Sequence, residues 1–174
     1  EEETLYAPYV RLAVERARAA IESRDVSAEA NVDVSLLALA TNDEKDALMR
    51  ASEDAETFAL AVKIASVVAS AASASGSTRA RAVRLAVRIA LNDTVSDAIV
   101  ADACAVASRA VTLGANERVV DGTTPDFAAV PEALPLVRRA VENPRATRLV
   151  ALASDFVARS DALAVTFVAA VTER

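Results

Sequence analysis

The sequence predicts an all-α protein, and three observations support this prediction. Ala, Val and Leu fill most apolar positions and recur at the three- and four-residue spacing of an amphipathic helix. The three Gly and five Pro residues lie mainly between these apolar segments. No stretch of strictly alternating apolar and polar residues is bounded by hairpin turns, as strands in a hairpin would require.

The length of 174 residues suits one domain, 1–174, that buries about 70% of the surface of its unfolded chain. We expect six to seven helices in this domain. They divide it into an N-terminal helical hairpin (1–41), central helices (42–113), an irregular loop (114–130) and C-terminal helices (131–174).

The N-terminal hairpin is predicted from its apolar spacing and its capping residues. The first helix is expected to begin at Thr4 or Pro8 and to end at Ser23, because apolar residues line one side of this segment and charged residues the other. Ser27 is a suitable N-cap for a second helix that ends near Ala40.

The central helices begin with the sequence Thr41-Asn42-Asp43-Glu44, which has the Thr-x-x-Glu form of a capping box. This box predicts the start of a long helix that continues toward Ala74. Gly76 and Ser77 are expected to end that helix and to cap the next one.

A helix is then predicted from Thr78 to Leu91, followed by a break at Asn92-Asp93-Thr94 and a helix to Leu113 with Gly114 at its end. A continuous, kinked helix fits the same residues. Residues 115–130 are expected to form the irregular connection.

The C-terminal part is predicted to hold a helix from Pro131 to Glu142 and a last helix that begins at Asn143-Pro144. The last helix is expected to reach Glu173, and an interruption at Ser160-Asp161 is an alternative to one continuous helix.

Composition excludes most catalytic chemistry. The chain has no His, so Ser-His and Cys-His nucleophile arrangements cannot form, and with three Gly it has no phosphate-binding loop. Cys104 is the single cysteine, lies among apolar residues and is expected to be a buried hydrophobic residue. We therefore predict no enzyme activity, no cofactor and no metal site.

Charge and hydropathy exclude further classes of partner. The net charge of −6 argues against nucleic-acid binding, which normally needs a basic domain. No apolar run reaches the roughly 18 residues that span a bilayer, and no signal peptide is evident, so we expect a cytoplasmic protein without a membrane partner. Residues 1–60 carry 14 acidic and 6 basic side chains, so the acidic excess lies in the first third.

An internal repeat is the most informative pattern. Three nine-residue windows, 61–69, 103–111 and 149–157, can be superposed at offsets of 42 and 46, and each carries Ala-Ser at its fifth and sixth positions. A second element recurs upstream as Val-Arg-Leu-Ala-Val at 10–14 and 83–87, and less faithfully at 137–141. Repeats of this length are typical of stacked helical units.

These windows, together with residues 132–144, resemble the armadillo and HEAT families of helical repeats. The resemblance covers about 44–160 and implies a right-handed helical stack that binds other proteins. At the positions where the armadillo family has the asparagine that lines its peptide groove, this chain has Val67, Arg109 and Asp155. A closed multi-helix bundle is the alternative architecture.

Two basic clusters complete the set of candidate binding residues. One lies on a single helix face, and the other surrounds Asn143-Pro144, next to a helix N-terminus that favours anions. The predicted partner-binding residues are Arg81, Arg84, Arg88, Arg109, Arg138, Arg139, Arg145, Arg148 and Asp155.

We therefore expect a non-enzymatic scaffold for protein-protein interaction that binds another protein or peptide, with an acidic one as a candidate partner. Binding is expected along the helices at 55–72, 98–111 and 147–158. Two other interpretations stay open: the clusters only keep the surface soluble, or the chain is a computationally designed helical protein with a small-molecule cavity or no activity. The absence of Gln, His and Trp motivates the second.

Overall fold

The computed structural model describes residues 3–27, 32–114, 130–143 and 146–172, and these ranges contain nine α-helices and no strand. The all-α prediction is therefore confirmed. The helices are α1 (Glu3–Ser23), α2 (Val34–Leu37), α3 (Asn42–Asp54), α4 (Phe58–Ser70), α5 (Gly76–Ala90), α6 (Asp97–Gly114), α7 (Ala133–Glu142), α8 (Thr147–Val157) and α9 (Asp161–Thr172).

The nine helices in the described ranges exceed the six to seven that we predicted, because the expected long helix from Thr41 to Ala74 and the last predicted helix are each two helices. Its start is confirmed: the Glu44 amide donates to the Thr41 hydroxyl (3.2 Å), and the Thr41 amide donates to the Glu44 carboxylate (2.8 Å). However, α3 ends at Asp54, where the following Ala55 is extended at φ −97° and ψ 143°.

Two acidic residues lie on either side of this break. In one continuous helix, Glu53 and Glu56 would lie three residues apart on one face and repel each other. The break separates them, and Glu53 pairs with Arg88 at 3.3 Å whereas Glu56 pairs with Arg24 at 3.4 Å.

The second predicted helix is also corrected. Ser27 does not cap a helix: it lies in a 3₁₀ turn and donates both its amide and its hydroxyl to the Asp25 carboxylate. Asp33 caps α2 instead, accepting from the Ser35 amide at 3.1 Å, and residues 28–31 lie outside the described ranges. Helix α1 begins at Glu3, one residue before Thr4, which was the first of the two predicted starts, and it includes Pro8.

The cap of α5 lies two residues from the predicted one. Ser75, not Ser77, caps this helix by accepting from the Thr78 amide at 3.2 Å. The break after α5 is confirmed, because the Asn92 carboxamide accepts from the Thr94 amide at 2.9 Å and α6 begins only at Asp97.

The C-terminal predictions are largely confirmed. Helix α7 ends at Glu142 as expected, and the last predicted helix is interrupted at the alternative break, since α8 ends at Val157 and α9 begins at Asp161. Helix α8 begins at Thr147, later than Asn143-Pro144. The irregular connection at 115–129, Pro144 and the expected end at Glu173 lie outside the described residues.

The helices pack in a regular order. Among the even-numbered helices, α2 contacts α4, α4 contacts α6, and α6 contacts α8. Among the odd-numbered helices, α1 contacts α3, α3 contacts α5, and α7 contacts α9. Sequence neighbours from α3 to α6, and α7 with α8, also pack against each other. One connected hydrophobic core runs from α1 to α9.

Small side chains allow close approach of the central helices. Ala61, Ala65, Ala82, Ala86 and Ala107 are completely buried, and side chains this small let neighbouring helix backbones approach closely. No helix in the described part of the chain is both long and apolar enough to cross a membrane.

The three matched windows share one burial pattern. Each lies within an even-numbered helix, namely α4, α6 or α8. In every window the first, fifth and eighth residues are buried and the third is exposed. The third position therefore points away from the core in all three helices, whereas the seventh is exposed in α6 and half-buried in α4 and α8.

Candidate functional site

The basic face of α5 is paired with acidic residues of the same chain. Arg81 lies 3.8 Å from Asp46, and Arg88 lies 3.3 Å from Glu53. Arg88 follows Arg81 by seven residues, and its partner Glu53 follows Asp46 by seven residues. Helices α3 and α5 therefore run side by side and roughly parallel.

Arg84 extends these contacts to the start of α7. Its Nε donates to Glu132 Oε1 at 2.7 Å, and Glu132 is the N-cap residue of α7. This hydrogen bond and the charge of Glu132 raise the pKa of the Arg84 guanidinium. Three predicted partner-binding residues thus lie on one face, as expected, but carboxylates of the chain itself already neutralise their charges.

The structure brings two arginines of the second basic cluster, Arg139 and Arg148, to one cleft. The Nη2 of Arg139 lies 2.6 Å from Asp93 Oδ1, and the Nη1 of Arg148 donates to the Asp97 carbonyl at 3.0 Å. Both arginines line a cleft of about 460 Å³ between the turn after α5 and the start of α8. Arg138 is exposed. Arg145 lies outside the described residues.

Arg109 and Asp155 lie on the surface of the even-numbered helices. Arg109 is exposed on α6, and among the described residues no carboxylate lies within ion-pair distance of it. Asp155 is half-buried on the neighbouring α8, where one carboxylate oxygen accepts a short hydrogen bond from the Ser108 hydroxyl. Val67 occupies the same window position on α4 and is also half-buried.

A cavity of about 150 Å³ lies beside Arg109, between α4, α5 and α6. Its polar lining consists of Ser66 and Ser70 from α4, Arg79 from α5, and Arg109. Arg79 is only 5% exposed, and its Nη2 donates to the Ala71 carbonyl at 2.9 Å, just beyond the end of α4. Since α4 has no basic residue in its last turn, Arg79 supplies the positive charge that its C-terminal end favours.

Sequence reasoning missed Arg79, although a signal was present. The residue precedes the buried Ala82 by three positions and Ala86 by seven, which places it on the apolar face of α5. Arg81, Arg84 and Arg88 lie on the other face of α5, and these residues were predicted to bind a partner instead of Arg79.

Sequence reasoning also missed Lys45. It is completely buried in α3, and its Nζ donates to the Ser73 hydroxyl at 2.9 Å. Burial lowers the pKa of this amine, and the nearby Arg79 charge lowers it further, whereas Glu44 raises it. The nearby surface holds a larger cavity of about 670 Å³, lined in part by Tyr6, Leu39 and Ser73.

Cys104 is 6% exposed, which confirms the prediction of a buried residue. Burial raises the pKa of its thiol, and the charge of Arg148 opposes this effect. Within the described ranges, no three carboxylates or thiols come together in a group that could hold a metal ion. Comparisons of the chain with protein-family models, with curated proteins and with solved structures gave no match.

Proposed function

We propose that this chain is a non-enzymatic scaffold that binds an acidic segment of another protein across α4, α6 and α8. One observation carries the proposal: these three helices pack in order, and their matched windows all leave the third position exposed to solvent. An extended segment that crosses the three helices would meet equivalent positions at each step.

The charge of the surface favours an acidic segment. Arg109 lies in the middle helix and has no carboxylate partner among the described residues, in contrast to the paired Arg81, Arg84 and Arg88. A carboxylate brought to Arg109 therefore gains a charge-assisted hydrogen bond without displacing an internal one. Asp155 on α8 lies beyond it and suits a basic or hydrogen-bond-donating residue further along the segment.

The architecture that we propose for this scaffold is an open, right-handed stack of armadillo or HEAT type. The side-by-side α3 and α5, and the successive contacts of the even-numbered helices, support it. A closed bundle is the competing architecture. Small-angle scattering separates the two, because a closed bundle has the radius of gyration of a compact domain, about 15.6 Å for this length.

The function is tested with fluorescein-labelled hexaglutamate, by fluorescence anisotropy at low ionic strength. The chain carries a net charge of −6. General electrostatics therefore oppose this peptide, and binding requires a local positive site. We expect saturable binding that Arg109→Glu abolishes and that Arg18→Glu, the same charge change on an exposed residue of α1, leaves intact.

Two outcomes would overturn the proposal. One is that hexaglutamate does not bind the wild type. The other is that Arg109→Glu and Arg18→Glu bind hexaglutamate with equal Kd. Labelled hexalysine serves as the charge control and is expected to bind without sensitivity to Arg109.

A second candidate function rests on the cavity beside α1. Its volume of about 670 Å³ falls within the range of small-molecule sites, and Tyr6, Val10 and Leu39 give it an apolar wall. An apolar small molecule would occupy it. Titration with 1-anilinonaphthalene-8-sulfonate should then shift the amide resonances of Tyr6 and Leu39, and shifts confined to the exposed valines of α9 would exclude this cavity.

A further inference from the structure

The cavity between α4, α5 and α6 combines two arginines in a small space. We propose that it is a carboxylate-binding site, which receives one acidic side chain of the segment bound across α4, α6 and α8. The source of the carboxylate rests on the function proposed above, whereas the site itself rests on the geometry of the cavity.

Both charged residues in the described lining of the cavity are arginines. Arg79 and Arg109 contribute two guanidinium groups from different helices, and the described lining includes no acidic residue. Arg79 is almost completely buried, so water screens its charge less than that of a surface arginine. An anion in the cavity therefore meets one weakly screened and one exposed positive charge.

Hydrogen-bonding groups surround the same space. Arginine donates in a planar fork that matches the two oxygens of a carboxylate. Ser66 adds a hydroxyl from α4, while the Ser70 hydroxyl is turned back onto the Ser66 carbonyl at 2.8 Å. The hydrogen bond from Arg79 to the Ala71 carbonyl holds its guanidinium in place, so less ordering is needed when a ligand binds.

The size of the cavity limits the ligand to one side chain. A volume of about 150 Å³ holds several water molecules, which is room for a carboxylate and its methylenes. Ala69, Val106 and Ala110 complete the wall and supply apolar contacts for those methylenes. Residues 67 and 109 occupy the same window position on neighbouring helices, so the cavity opens beside the proposed path of the segment.

The first experiment probes the cavity without a peptide. Sodium acetate is titrated into the ¹⁵N-labelled full chain at constant ionic strength, with sodium chloride as the reference anion. We expect saturable shifts at the amides and side chains of Ser66, Arg79 and Arg109. The shifts should be lost in Arg109→Gln and retained in Arg18→Gln.

A parallel titration with inorganic phosphate tests whether the site prefers a carboxylate or a phosphate, because arginine recognises both anions. Shifts that saturate with acetate at lower concentration than with phosphate support a carboxylate site. Tighter phosphate binding would overturn the assignment of the ligand as a carboxylate. Acetate shifts that equal those of chloride would overturn the site itself.

The second experiment connects the cavity to the peptide. Ser66→Ala removes one hydroxyl from the wall and keeps the helix. We expect this variant to raise the Kd for hexaglutamate several-fold, and we expect Arg109→Gln to raise it about tenfold or more. Ser154→Ala, the matched serine of the α8 window, is the control, because it lies outside the cavity.

The two proposals fail in different ways. If Arg109→Gln weakens hexaglutamate binding but Ser66→Ala leaves its Kd unchanged, and acetate shifts equal those of chloride, the cavity inference falls and acidic-segment binding stands. If acetate binds the cavity but hexaglutamate does not bind, the cavity stands and the proposed scaffold function falls.

Discussion

The Nζ of Lys45 lies 2.9 Å from the Ser73 hydroxyl, and Ser73 in turn donates to the Ala38 carbonyl at 3.0 Å. A completely buried amine on α3 is thereby connected to the segment before α5 and to the turn after α2. The relay satisfies only part of the hydrogen-bonding capacity of a charged lysine, which has three donors. Keeping this residue charged in the core is therefore costly.

We predict that Lys45→Met leaves stability unchanged or increases it, because methionine fills similar space without an amine to desolvate. Lys45→Ala should lose about 2 to 4 kcal/mol, because it leaves a cavity. Urea denaturation monitored by circular dichroism measures both. A loss in Lys45→Met as large as that in Lys45→Ala would show that the amine stabilises the fold.

The pH dependence follows from the lowered pKa of Lys45. Between the native pKa and the ordinary lysine value, the unfolded chain binds more protons than the folded chain. The free energy of unfolding contributed by this group therefore rises with increasing pH over that interval. Subtracting the pH profile of Lys45→Met from that of the wild type isolates the effect, and a flat difference would contradict it.

Overpacking should distinguish buried from exposed positions of the matched windows. Ala65→Leu introduces a large side chain at a completely buried position of α4 and should cost about 1 to 3 kcal/mol. Ala105→Leu, at the exposed third position of the α6 window, should change stability by less than about 0.5 kcal/mol. Equal melting temperatures for the two variants would refute the close packing of the central helices.

The ion pairs on the odd-numbered helices should differ in strength. Arg84→Gln is expected to cost about 1 to 2 kcal/mol, because the Glu132 side chain is only 13% exposed and loses a 2.7 Å charged hydrogen bond. Arg81→Gln should cost less than about 0.5 kcal/mol, because its partner lies at 3.8 Å. A double-mutant cycle of Arg84→Gln with Glu132→Gln measures the coupling, and a value near zero would exclude this contribution.

Cys104 should react slowly with thiol reagents in the folded protein, because it is buried and its thiol pKa is raised. Labelling with 5,5′-dithiobis(2-nitrobenzoate) measures the rate, which should rise sharply in urea. Cys104→Ala/Ala105→Cys moves the thiol to an exposed neighbour and should react rapidly without denaturant. Fast labelling of native Cys104 would contradict its burial.

Local signals in the sequence predicted local features well. The capping box of Thr41 and Glu44 and the break at Asn92 involve residues only two or three positions apart, so their chemistry is visible in the printed chain. The division of the central segment after Asp54 was missed, because apolar residues continue at helical spacing across it, at Leu48, Ala55 and Val62.

The candidate site was harder to predict than the fold. Arg79 is buried because it satisfies the carbonyl of Ala71 at the end of a different helix, and Arg84 is neutralised by Glu132, 48 residues later. Such partners depend on how the helices pack. Sequence reasoning therefore identified the arginines on exposed faces but not which of them keep a free charge.

The paired rows of α3 and α5 also constrain how these helices can be aligned. Helix α3 buries only two apolar side chains, Leu48 and Met49, so its charged pairs add to the contacts that align it with α5. With Asp46 opposite Arg81 and Glu53 opposite Arg88, both carboxylates are matched. A slide by one helical turn would bring Arg84 opposite one carboxylate, and a slide by two turns would bring Arg81 or Arg88 opposite one, so either slide matches only one of the two. The acidic residues of the first third of the chain thus favour one register of α3 against α5.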